Sequence, residues 1–76
     1  MQDVAERIRA YLPSMSKSQR RIAELIESNC EKTAHLTAAR LGEMAGVSEP
    51  TVVRFAAELG YSGYPQFQRA MQEMLR

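Results

Sequence analysis

Six residues in one short run, Ser48, Glu49, Pro50, Thr51, Val53 and Arg54 of SEPTVVRF, have types and spacing that suit contact with nucleic-acid bases. If Val52, Phe55, Ala56 and Leu59 turn inward on a helix, the opposite face carries Glu49, Pro50, Val53, Arg54 and Ala57, with Thr51 at its boundary. That face is small and nearly uncharged. Solvent has no use for Val53, whereas small side chains beside one arginine are what close approach to base edges requires. Arg54 can donate two hydrogen bonds to guanine O6 and N7 or neutralise a phosphate, and Val53 or Pro50 can touch a thymine methyl. Thr51 can bond bases or backbone. Glu49 either accepts from a cytosine amino group or repels the duplex slightly.

A second group is basic. Lys17, Arg20 and Arg21 gather at the start of a helical segment whose far end holds Glu24, Glu27 and Glu31. This order opposes the helix dipole, which favours cations at C-termini, and a phosphate backbone beside that end would account for it. Ordinary exposed charge is the competing explanation. Lys17, Arg20 and Thr37, the N-cap of a later helix, join the six residues above as candidate DNA contacts.

These side chains need elements to hold them. Val4, Ile8, Tyr11 and Leu12 recur at helical spacing after Asp3, and Pro13 ends that helix. Ser16 with Gln19 forms a capping-box signal before Ile22, Ala23, Leu25 and Ile26, which predicts a second helix over residues 16–30. A short third helix starts at Thr37, carries Leu41, Met44 and Ala45 on one side and closes at Gly46. The fourth starts at Ser48, tolerates Pro50 in its first turn and stops at Gly60. The fifth follows Gly63 and Pro65, with Phe67, Ala70, Met71, Met74 and Leu75 at helical spacing. No alternating run is long enough for a strand, so the expected class is all-α, a compact five-helix bundle containing a homeodomain-like helix-turn-helix. Only Gly46 and Val47 separate the third and fourth helices, so the two must cross steeply, with Gly46 in a left-handed conformation and Val47 in the core. The small Gly42 fits a close approach at that crossing.

Composition narrows the alternatives. At 76 residues the chain forms one domain at most, over 1–76, near the lower limit for folding without disulfides or metal. One cysteine, Cys30, and one histidine, His35, cannot supply the four ligands of a closed zinc site or the three of a catalytic one. No metal or cofactor is expected. The chain pairs no nucleophile with a base, and GEMAG lacks the lysine and strand context of a phosphate-binding loop, so an enzyme is not expected either. No apolar run approaches a membrane span of about 20 residues, and no signal segment opens the chain, so no membrane partner and a cytoplasmic location are expected. The net charge of +1 neither demands nor excludes a polyanion. The serious rival is a helical protein-docking module, which would show exposed Leu, Met or Tyr together.

LTAARLGEMAGVSEPTVVRFAAELGYSGYPQFQ, residues 36–68, closely resembles the N-terminal helix-turn-helix domain of the RpiR family of bacterial transcription regulators, and MSKSQRRIAELIESNCEKTAHLT resembles the segment leading into it. The run VSEPTVVRF…LGYSGYPQF is the specific part, and Gly42, where alanine is more usual, is the departure to watch. The resemblance implies a helical domain that binds double-stranded DNA sequence-specifically. It also implies that full-length relatives carry a C-terminal sugar isomerase-like domain that senses a phosphosugar and helps form a homodimer or higher oligomer. That domain is absent from these residues, which are expected to be a fragment of a larger regulator of sugar or phosphosugar metabolism genes, and a phosphosugar effector is expected only there.

Overall fold

Four of the six α-helices among the described residues begin where a short polar side chain takes up a free backbone N–H. The structure, a computed structural model, describes residues 3–75. Helix α1, Val4–Tyr11, is capped by Asp3, whose Oδ1 accepts from the Glu6 amide at 2.9 Å. A 3-10 turn, Leu12–Ser14, carries Pro13. Helix α2, Lys17–Ser28, opens with the full capping box, Ser16 Oγ accepting from the Gln19 amide and Gln19 Oε1 from the Ser16 amide. The one-turn α3 is Cys30–Thr33. Helix α4, Ala38–Ala45, is capped by Thr37, α5, Glu49–Glu58, by Ser48, and α6, Tyr64–Met74, follows Gly63 and carries Pro65 in its first turn.

The expected all-α class and helix-turn-helix are present, and the described residues hold six α-helices where five were expected. The difference lies at Ser28 and Asn29. Ser28 Oγ bonds back to the Glu24 carbonyl at 2.9 Å, and Asn29 leaves helical geometry at φ −141°, ψ 49°. Polar side chains of this kind compete with the helical ladder. The second helix therefore stops at Ser28 and a separate turn, α3, follows.

The inward stripe of α5 is as expected, with Val52, Phe55 and Ala56 fully buried and Leu59 nearly so. Phe55 meets Phe67 of α6 edge-on, their ring centroids 6.0 Å apart, and Val4 and Ile8 of α1, Ile22 and Ile26 of α2, and Leu41 of α4 complete the core. Met44 and Ala45 are only half-buried, and Leu75 is exposed. Helix α5 packs against α2, α4 and α6, while α1 packs on α6. It is thus the central element of the fold with one face left open.

Both ends of α5 adjoin left-handed glycines. Gly46 has φ +75° and ends α4, the Gly46 amide donating to Glu43 O and the Val47 amide to Gly42 O, a closure that satisfies two otherwise free carbonyls. Gly60, at φ +98°, repeats the pattern after α5, the Gly60 amide donating to Ala57 O and the Tyr61 amide to Ala56 O. Gly42 is needed for space. A Cβ there would stand 2.8 Å from Val47 O and 3.3 Å from the carbonyl carbon of Ser48, both backbone atoms of the elbow.

Candidate nucleic-acid interface

The open face of α5 is built from its cap outward. Ser48 Oγ accepts from the Thr51 amide at 3.3 Å and shares a hydrogen bond with Thr51 Oγ1 at 2.8 Å. Arg54 Nη2 in turn reaches Thr51 Oγ1 at 3.5 Å, a long contact that inclines the guanidinium toward the N-terminal end of the helix. Ser48, Thr51 and Arg54 thus form one line of polar groups at three-residue spacing. Between it and Glu49 lie Pro50, Val53 and Ala57, all exposed, with 39% of Val53 open to solvent. The six residues singled out in SEPTVVRF fall on this one element, exposed except for half-buried Thr51.

The other candidates stand on neighbouring elements. Lys17 and Arg20 are exposed on the first turns of α2, which packs against both α4 and α5. Thr37 is exposed at the head of α4, where its Oγ1 accepts from the Arg40 amide at 3.1 Å. Its hydroxyl oxygen is occupied as a cap, leaving the O–H to donate. Arg40 pairs with Glu43 at 2.9 Å on the open surface, a contact worth little in water.

Several residues that hold this face escaped the sequence reading. Glu58, at the last turn of α5, accepts from Tyr11 O–H at 2.8 Å and also from Gln19 Nε2, which ties α1 and the start of α2 to α5. The hydrogen bond it donates to the Glu58 carboxylate holds the Tyr11 phenol above its ordinary pKa. Arg7 of α1 donates to Leu59 O at 2.9 Å and lies over the Tyr61 ring at 4.6 Å, a cation placed at the negative end of the α5 dipole. Arg21 is not among those that escaped, since the sequence already groups it with Lys17 and Arg20 at the start of α2; its Nη1 comes within 4.0 Å of the point where a side chain of Gly46 would begin, so its guanidinium flanks the elbow. On α6, Tyr64, Gln68 and Gln72 form a stripe at four-residue spacing. Tyr64 O–H and Gln68 Nε2 both donate to Leu36 O, at 2.7 and 2.9 Å, and Gln72 Nε2 donates to Ala34 O at 3.1 Å. These bonds satisfy carbonyls of the segment that feeds α4. Burial pushes the Tyr64 phenol up to about 12. The four-residue spacing of Tyr64, Gln68 and Gln72 was a visible signal, though it did not name its partner.

The face offers hydrogen-bond donors, small apolar groups and one carboxylate on a rigid helix, a set suited to reading edges. It does not resemble a protein-docking surface. Among the described residues the large hydrophobic side chains left exposed are Val53 and Leu75, on separate elements.

The sequence has recognisable relatives. The family model described as the helix-turn-helix domain of the rpiR family matches residues 2–76. The chain is similar to the HTH-type transcriptional regulator HexR of Pseudomonas aeruginosa, 36% identical over 99% of this chain and 26% of that protein. It is 35% identical to the uncharacterized HTH-type transcriptional regulator YfhH of Escherichia coli, over 91% of this chain and 24% of that protein. It is also 34% identical to the HexR regulator of Escherichia coli, over 96% of this chain and 25% of that protein. The chain therefore spans about a quarter of the length of these relatives. No solved structure matches. A glycine elbow between two capped helices, an open face on the second of them and a family match over nearly every residue lead to one conclusion: the chain belongs to the rpiR family of helix-turn-helix domains.

Proposed function

We propose that this chain is the sequence-specific DNA-binding unit of a bacterial transcription regulator that controls genes of sugar or phosphosugar metabolism. Helix α5 enters the major groove, Arg54 reads a guanine, and Ser48 and Thr51 hold it in place and bond bases or backbone themselves. Glu49, Pro50 and Val53 face the same groove. Lys17, Arg20 and Thr37 contact phosphates, and Arg21, flanking the elbow, joins them. The observation that carries the reading is the open face of α5, where one arginine stands among small side chains on the central helix of the fold. The metabolic assignment rests on the resemblance to RpiR regulators. A phosphosugar effector and stable oligomerisation belong to a sugar isomerase-like domain outside these residues, and a cytoplasmic location follows from the partner.

Selection of bound sequences from a pool of random duplexes tests this. A recovered consensus, bound with an affinity that falls as salt rises, is expected. Recovery without any consensus would remove sequence-specific readout.

A further inference from the structure

The open face of α5 has two edges and a middle. Arg54 and Thr51 occupy one edge, Glu49 and Val53 the other at i and i+4, and Pro50 and Ala57 lie between them. Three of these positions, Pro50, Val53 and Ala57, present only hydrocarbon from side chains that neither donate nor accept. In the major groove the base-edge feature that hydrocarbon can recognise is a methyl group at pyrimidine C5. Thymine carries that methyl beside a carbonyl oxygen. 5-Methylcytosine carries the same methyl beside an amino group. A carboxylate next to the hydrocarbon is matched to the amino group and repels the carbonyl.

Resting on the reading of α5 as the recognition helix, we infer that the Pro50–Val53–Ala57 row takes pyrimidine C5-methyl groups, and that Glu49 beside Val53 makes 5-methylcytosine the better-fitting source at that step. Methylation of cytosine within the bound site then tightens binding. Glu49 in the first turn also favours the α5 dipole, a role that affects stability and leaves base choice alone. Base choice is therefore the quantity to measure.

The probes are duplexes recovered by this chain from a random pool, resynthesised with deoxyuridine for thymidine or with 5-methyldeoxycytidine for deoxycytidine, one position at a time. Binding is followed by fluorescence anisotropy at low salt. Loss of a contacted thymine methyl is expected to weaken binding about fourfold, and gain of a cytosine methyl at the Val53 step to strengthen it by a similar factor. Val53→Ala, which leaves the core untouched, should flatten the cytosine effect, and Glu49→Gln should narrow the preference for 5-methyldeoxycytidine over thymidine at that step. A clear consensus whose members bind equally well with and without every methyl group overturns the inference while leaving the proposed function standing. Sensitivity to deoxyuridine with no gain from 5-methyldeoxycytidine overturns the role given to Glu49. Absence of duplex binding overturns the inference together with the reading it rests on.

Discussion

Gly42 and Gly46 lie four residues apart and are held for different reasons, which separate under substitution. At Gly46 the constraint is the left-handed backbone, so Gly46→Val should cost roughly 1–2 kcal/mol. For a domain of this size each kcal/mol lowers Tm by about 4–8 °C, so thermal denaturation will show it. At Gly42 the constraint is the Val47 carbonyl oxygen, 2.8 Å from any added Cβ. Alanine would gain about 1 kcal/mol of helix propensity there, yet backbone has to move to admit it, and overpacking of this kind costs about 1–3 kcal/mol. Gly42→Ala is expected to be net destabilising, and a raised Tm would mean that the elbow opens freely. Tyr64 gives a pH-dependent counterpart. Its phenol ionises near 10 when unfolded and at about 12 when folded, so the folded state holds the proton more tightly. Its contribution is complete below pH 10 and is lost as pH rises toward 12. Chemical denaturation across that window should show stability falling, and Tyr64→Phe should remove that part of the slope at a cost of about 1 kcal/mol near neutrality.

Helix α5 is the element whose variants sort readout from attachment. Arg54→Ala should keep helical content and lose preference for the selected site, whereas Lys17→Ala or Arg20→Ala should weaken all duplexes alike and reduce the salt slope by about one. Competition binding at several salt concentrations distinguishes the two, and an Arg54→Ala protein that still discriminates would make Arg54 a phosphate ligand. Ser48→Ala should cost about 1 kcal/mol of stability and loosen Arg54 through Thr51. Much of this element was legible beforehand because its determinants are local: Ser48, Pro50, Gly46 and the inward stripe all act within a few residues. The placements that escaped notice are long-range. Arg7 finds the Leu59 carbonyl 52 positions away, and Gln72 finds Ala34 across 38. No periodicity encodes such pairs, since each exists only after α1 or α6 has docked. The break at Asn29 escaped for a different reason, because serine and asparagine near a helix end can continue the ladder or leave it with little difference in energy.

The described residues extend 28 × 25 × 24 Å, less than one turn of duplex, about 34 Å. On the proposed reading one copy presents one recognition helix, and with a net charge of +1 it gains little from general attraction to phosphate. Nanomolar affinity calls for two copies on half-sites about one turn apart. The 76-residue chain is expected to sediment as a monomer or weak dimer at micromolar concentration and to bind a palindromic duplex far less tightly than a full regulator. A tight dimer with full affinity would place the dimer contact within this domain. The elbow also limits how such a domain can be controlled. If Gly42→Ala proves destabilising as expected, the close approach of Gly42 to the Val47 carbonyl makes the angle between α4 and α5 a welded joint. A signal acting on such a domain would then have to turn the whole head toward or away from its track, or change its distance to a second head, without bending it at the elbow.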